Sequence, residues 1–425
     1  LRTKANTDFL KQAFLCRGPF CFDVKEWKEF AMEFIYPRYD GNSIVNLSAA
    51  ILKHFGAEVP SGVKEYSFPE NGLDLEGIEK LVVFIVDAVG YYNLSKVLES
   101  NSFKYFTRED LRMLTSVFPS TTSSALTSIF TASVPGEHGI MGYLQNMPEF
   151  GGLVNMIELT PYTQDRDNLT RLGFDPLKFN QRPTVFESLK EAGVKGYHLT
   201  SKSFVNTGLT RMHSRGGIAR GVHGLGDMFE ELDVILSSEE GPNLTVVYWG
   251  LIDTYGHRYG PNSLSYISET AILFSAFERF FEERVQQDTA LLITADHGQI
   301  ETPWEHEIWW SKFDPVFEEM YSMPGGEQRM SYIYSRDREK TRKKMEEEFG
   351  DYLEILEPSE TDEMKLFGKS LTNTLRKRRG ELITISKGDY SLCFKYTGQE
   401  HSLKGRHGGM TPEEMLVPLI LLRKD

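Results

Sequence analysis

Leu81-Val82-Val83-Phe84-Ile85-Val86-Asp87 is the stretch on which the reading of this chain turns. Six apolar residues, rich in β-branched and aromatic types, run without alternation and stop at a carboxylate. A half-exposed strand would alternate polar and apolar side chains, so a continuous run fits a strand buried on both faces, as in a parallel sheet. Asp87 then stands at its C-terminal end. The pattern recurs twice: residues 244–251 run into Asp253, and residues 290–294 run into Asp296-His297. Three strands deliver polar side chains to one edge, where open α/β sheets bind their ligands.

Helical patterns lie between these runs. Residues 183–192 begin with Pro183 and are followed by Gly193, and residues 263–286 repeat Ile267, Phe274, Phe277 and Phe281 near helical spacing. Strands alternating with helices predict an α/β fold, a doubly wound and mainly parallel sheet with helices on both faces. Residues 1–75 carry helical patterns at 24–36 and 44–55 and read as a mostly helical extension. The core is expected over 76–301 plus 402–425, ending in a strand at 417–422. Residues 302–401 break the rhythm with Trp304, Trp309 and Trp310, a charged helix at 340–349 and the basic run Arg376-Lys377-Arg378-Arg379, and read as an inserted cap.

Composition narrows the class. Asp and Glu number 61 against 47 Lys and Arg, a net charge of −14, which disfavours stable nucleic-acid binding but not a small anion at a site dominated by bound cations. Three cysteines, Cys16, Cys21 and Cys393, form no disulfide framework in 425 residues and are read as structural or incidental thiols. No apolar run approaches the roughly 20 residues of a membrane span. The expectation is a soluble, cytoplasmic globular enzyme.

Singly, Asp87 reads as a helix cap and His297 as a satisfied core histidine. Together, Asp87, Asp253, His257, Asp296, His297 and His407 are a mixed carboxylate and imidazole set suited to zinc, manganese or iron. Six ligands exceed one tetrahedral ion and suit two, an arrangement that stabilises both oxygens of an in-line displacement. Glycines flank the set at Gly256, Gly298, Gly408 and Gly409 and are expected to permit tight turns. A nucleophile is offered by Phe118-Pro119-Ser120-Thr121-Thr122-Ser123-Ser124, hydroxyls at the start of an apolar helical run over 125–132. A helix N-terminus favours an anion there, and a metal-coordinated hydroxyl becomes an alkoxide nucleophile.

These motifs resemble, in the same order, those of the type I phosphodiesterases and nucleotide pyrophosphatases of the alkaline phosphatase superfamily. Asp87 matches the family's Asp after a buried strand, and Phe118 through Thr122 match Phe-Pro-x-x-Thr. His138-Gly139-Ile140 match His-Gly-Ile. Asp253, His257 and Gly260-Pro261 match Asp-x-x-x-His with its Gly-Pro, Asp296-His297-Gly298 match Asp-His-Gly, and His407-Gly408 match the late His-Gly. The resemblance covers most of 80–301 and 402–425. It implies Thr122 as nucleophile, one ion on Asp253, His257 and His407, and another on Asp87, Asp296, His297 and the Thr122 oxygen. The family places an Asn after His-Gly-Ile to hold the transition-state oxygen; this chain has Tyr143 there, with Asn146 shifted. A tyrosine hydroxyl can also donate to a developing charge. The sulfatase pattern Cys/Ser-x-Pro-x-Arg is absent from this segment.

The expectation is therefore hydrolysis of a phosphodiester or pyrophosphate bond in a small phosphate ester such as a nucleotide, through a phospho-threonine. Two divalent ions are implied, zinc first and manganese second. Rival readings on the same scaffold are a phosphomonoesterase or phosphomutase, or an enzyme for phosphonate or sulfate esters. From another class, the rival is a catalytically silent metal-binding module.

Overall fold

The computed structural model describes residues 34–67, 72–369, 371–398 and 400–424. Cys16, Cys21 and nearly all of the helix expected at 24–36 lie outside these residues. The second N-terminal helix is present as Ile44–His54.

The decisive apolar run forms strand β1, Lys80–Val86, at the centre of a seven-stranded sheet. Strands β2, Asn243–Trp249, and β3, Thr289–Thr294, flank it in parallel register. Across the sheet the order is Arg112–Thr115, Leu416–Arg423, β3, β1, β2, Lys195–Ser201 and Ile218–Val222. Only Leu416–Arg423 runs against its neighbours. The sheet is mainly parallel, as its continuous apolar strands predict, and every residue of Leu81 to Val86 is buried in the main core.

Helix Leu264–Arg284 packs Tyr266, Phe274, Phe277 and Phe281 on that core and is capped by Ser263, whose side chain accepts from Tyr266 N–H. In Val185–Glu191 the N-cap is Thr184, paired reciprocally with Glu187; Pro183 therefore precedes the cap rather than opening the first turn.

A second, antiparallel seven-stranded sheet is ordered Leu353–Leu356, Leu382–Ser386, Met330–Ile333, Gly325–Glu327, Leu144–Met147, Gly152–Asn155 and Thr160–Pro161. Four of its strands come from residues 302–401. The other three come from 144–161, joined through the pairing of Gly326 with Leu144. The charged helix expected at 340–349 is Arg338–Phe349. Among the described residues no helix is long and apolar enough to cross a membrane.

Candidate functional site

Asp87 leaves the end of β1 almost fully buried. The next residue, Ala88, has φ of 61°, a left-handed conformation costing about 1 kcal/mol for a residue with a Cβ. That turn aims Ala88 N–H at Asp296 Oδ1, 3.3 Å away, and Oδ1 also accepts from His297 N–H at 3.0 Å. Asp87 Oδ2 accepts from the hydroxyl of Tyr248, which sits near the end of β2. The other oxygens, Asp87 Oδ1 and Asp296 Oδ2, are buried with no hydrogen-bond partner among the described residues. Each lies 3.4 Å from His297 Nε2.

Asp253 and His257 stand one turn apart on helix α2, Leu251–Tyr259, because the i, i+4 spacing puts them on one face. His407 reaches them from the segment that follows the short antiparallel pairing of Ile300–Glu301 with Gly405–Arg406. Asp253 Oδ1 is 3.2 Å from His257 Nε2 and 3.7 Å from His407 Nε2. The two Nε2 atoms are themselves 3.2 Å apart. The ring of His407 stacks on that of His297 at 3.9 Å, which places the two clusters side by side.

The far nitrogens settle the tautomers. Nδ1 of His257 faces Gly405 O at 2.8 Å, Nδ1 of His297 faces Gly298 O at 3.0 Å, and Nδ1 of His407 faces Ser120 O at 3.2 Å. A carbonyl only accepts, so each neutral ring carries its proton on Nδ1 and turns an Nε2 lone pair inward. The Nε2 lone pairs of His257 and His407 then face each other and Asp253 Oδ1, and that of His297 faces Asp87 Oδ1 and Asp296 Oδ2, an arrangement that a cation resolves. Burial, then the charges of Asp296 and Asp253, push the Asp87 carboxyl well above the usual carboxylate range. Burial also raises Asp296, and burial with the neighbouring histidines holds His407 well below the usual imidazole range. The two triads, Asp253, His257, His407 and Asp87, Asp296, His297, each gather their ligand atoms within 4.8 Å.

Thr122 opens helix α1, Thr122–Thr131, and is 8% exposed. Its Oγ1 lies 3.1 Å from His297 Nε2. The N-cap is Thr121, so Thr122 is not the capping residue. Tyr143 lies further along, its hydroxyl accepting from Asn155 Nδ2 at 2.9 Å; the hydroxyl proton is thereby left for another acceptor. Burial, then Glu158, pushes the Tyr143 hydroxyl up to about 12. Asn146 is buried in Leu144–Met147, in the second sheet.

The flanking glycines act differently from the expected turns. Only Gly408 of the four has a positive φ, 110°, and a Cβ there would also fall 2.4 Å from Glu327 Cδ. Gly256 and Gly298 serve close approach instead: a Cβ would lie 1.6 Å from Gln299 Oε1 and 2.0 Å from Glu413 O, respectively.

Four neighbours escaped the sequence reading. Tyr248 lies inside an apolar strand, Gln299 donates to Asp253 Oδ1 at 3.0 Å, Asn155 holds Tyr143, and Glu327 brings Oε2 to 3.5 Å from His407 Nδ1. Only Gln299, next to Asp296-His297-Gly298, carried a local signal. The arginines of the basic run, and Arg406 beside His407, are engaged with other residues. Arg406 is buried on Glu307, Gln328 and Thr302, Arg376 and Arg379 bind Asp362, and Arg378 binds Glu149. Arg258 lies over the Tyr259 ring. Cys393 is a buried free thiol pushed up to about 12 by burial, unsuited to nucleophilic work.

No curated protein sequence matches the chain. Murine ectonucleotide pyrophosphatase/phosphodiesterase 5 shares the fold at a TM-score of 0.57 and 17% identity, covering 80% of this chain and 87% of its own. An inactive form of that protein in complex with AMP matches at 0.57 and 16% over the same shares. Phosphonoacetate hydrolase from Sinorhizobium meliloti 1021, in complex with phosphonoformate, matches at 0.59 and 19%, over 83% and 92%. The family model of type I phosphodiesterase / nucleotide pyrophosphatase spans residues 81–410, from β1 through His407. The chain therefore belongs to the type I phosphodiesterase/nucleotide pyrophosphatase family and is a hydrolase of that type.

Proposed function

We propose that the chain hydrolyses a phosphodiester or pyrophosphate bond with Thr122 as nucleophile and two divalent ions as cofactors. One observation carries this reading: two orphaned carboxylate oxygens and inward Nε2 lone pairs converge beside Thr122 Oγ1. Asp253, His257 and His407 would hold one ion, and Asp87, Asp296, His297 and the Thr122 oxygen the other. Nitrogen and carboxylate donors in this ratio favour zinc, with manganese second. When bound, the ions supply Lewis-acid stabilisation of the attacking and leaving oxygens.

Thr122 Oγ1, its proton lost to solvent, forms a bond to phosphorus as the bond to the leaving alcohol or phosphate breaks. Water then attacks the phospho-threonine, releasing the phosphoryl product and returning a proton to Thr122. The Tyr143 hydroxyl, held from behind by Asn155, donates to the phosphoryl oxygen that gains charge. The paired state of Arg406 and of Arg376, Arg378 and Arg379 supports a substrate of low charge, a diester in preference to a monoester dianion. A nucleotide is the substrate class we favour, by analogy with the AMP-bound murine relative. The strands of 302–401, sharing a sheet with 144–161, would cap this site.

The test is zinc reconstitution followed by elemental analysis and a nucleotide diester and pyrophosphate panel. About two ions per chain and turnover abolished by chelator are expected. Turnover that persists unchanged in chelator would sink the reading.

A further inference from the structure

The three ligand carboxylates are each tethered by neutral donors, not by a cation: Asp296 by Ala88 and His297 N–H, Asp253 by Gln299, and Asp87 by Tyr248. A neutral donor fixes a carboxylate without consuming the charge that attracts a metal ion, whereas an arginine would neutralise it. The backbone donors are built into the turn and Gln299 is a neighbour in sequence. Tyr248 is different, because a side chain on a separate strand supplies the tether.

Its placement follows from register. β1 and β2 run parallel with Ile85 opposite Tyr248 and Val86 opposite Trp249, and Asp87 N–H donates to Trp249 O at 3.0 Å. Asp87 is thereby pinned beside the end of β2, and the Tyr248 ring packs against the main core. Its hydroxyl takes Asp87 Oδ2, which leaves Oδ1 as the orphaned atom 3.4 Å from His297 Nε2. Gly250, two residues on, makes a close approach: a Cβ there would stand 3.0 Å from the Tyr248 hydroxyl oxygen.

We propose that Tyr248 is a positioning residue for one ion site only. Its hydroxyl orients Asp87 so that Oδ1 meets the cation shared with Asp296 and His297, without acting on the Asp253, His257, His407 site. The inference rests on the two-ion reading above, and its test separates the two.

The experiment titrates zinc from the full-length chain with a chromophoric chelator, resolving the two ions in wild type and Tyr248→Phe. Losing a partner of a metal ligand weakens affinity by about 10–100-fold, so one ion in Tyr248→Phe should weaken by that factor while the other shifts by less than about twofold. Activity at limiting zinc should fall and largely recover when zinc saturates. Gly250→Ala crowds the same hydroxyl by another route and should weaken the same ion, which keeps the idea testable should the phenylalanine variant misfold. Two wild-type affinities in both variants would overturn the role of Tyr248 and leave the two-ion reading standing. Equal weakening of both ions, or a loss of thermal stability alone, would also overturn it. A wild-type chain that holds fewer than two ions would instead overturn the two-ion reading itself.

Discussion

His257 and His407, 150 residues apart in the chain, point their Nε2 atoms at each other across 3.2 Å while each turns Nδ1 to a backbone carbonyl. Two neutral imidazoles in these tautomers repel, and Asp253 Oδ1 adds a third lone pair rather than a donor. A cation converts that repulsion into coordination. His407→Ala should therefore retain about one zinc ion per chain, against about two in the wild type. Elemental analysis after dialysis checks this, and two tightly held ions in the variant would contradict it.

Thr122→Ala should fold normally, since Thr121 and not Thr122 occupies the N-cap, and its thermal midpoint should shift by no more than about 1 kcal/mol of stability implies. Turnover should drop by about three orders of magnitude or more, as loss of a nucleophile does. Near-normal turnover in the folded, zinc-loaded variant would reassign the nucleophile, with Thr121 next in line.

On the proposed role of Tyr143, Tyr143→Phe would remove a donor to charge that develops only in the transition state. Its kcat should fall by about 10²-fold with KM little changed. An unchanged kcat would place the tyrosine outside the chemistry and make its bond to Asn155 purely structural.

Diesters should outpace monoesters. The comparison is kcat/KM for bis-p-nitrophenyl phosphate against p-nitrophenyl phosphate on zinc-loaded enzyme, because the ratio reports differential transition-state binding. The buried carboxylate of Glu327 beside His407 and the pairing of Arg406, Arg376, Arg378 and Arg379 with other carboxylates disfavour a monoester dianion. A clear monoester preference would promote the phosphatase reading.

Helix α1, which carries Thr122, rests on three buried neutral histidines. His213 bonds Thr127 and stacks on Phe130, His138 bonds Ser128, and His198 packs its ring against Phe130. Burial lowers His138 and His198 to about 3 and His213 well below its usual value. Each folded-state value lies below the unfolded one, near 6.5, so the unfolded chain binds more protons between the two. Stability is then complete above about pH 6.5 and falls on acidification toward pH 3, by up to about 1.4 kcal/mol per pH unit for each group. Urea midpoints between pH 7 and 5 should show the decline, and His198→Gln should make it shallower by about one proton. An identical slope in the variant would refute the assignment.

The sequence by itself determined the central sheet and most of the clustered carboxylates and imidazoles of the candidate site, for physical reasons that are local. Leu81 to Val86 must be buried on both faces whatever surrounds it, and a chain leaving such a strand delivers Asp87 to the C-terminal end of the sheet. Likewise, the four-residue spacing of Asp253 and His257 becomes a shared face as soon as a helix forms. Contacts between distant segments belonged to the tertiary structure. Tyr248 looks like any aromatic strand residue until register sets it beside Asp87, 161 positions away. Arg406, next to His407 in sequence, is committed to Glu307, 99 positions away, once the chain folds. The expected cap shares its sheet with 144–161 because a strand edge bonds to any backbone brought alongside it, and backbone donors and acceptors carry no mark of their partner in the sequence.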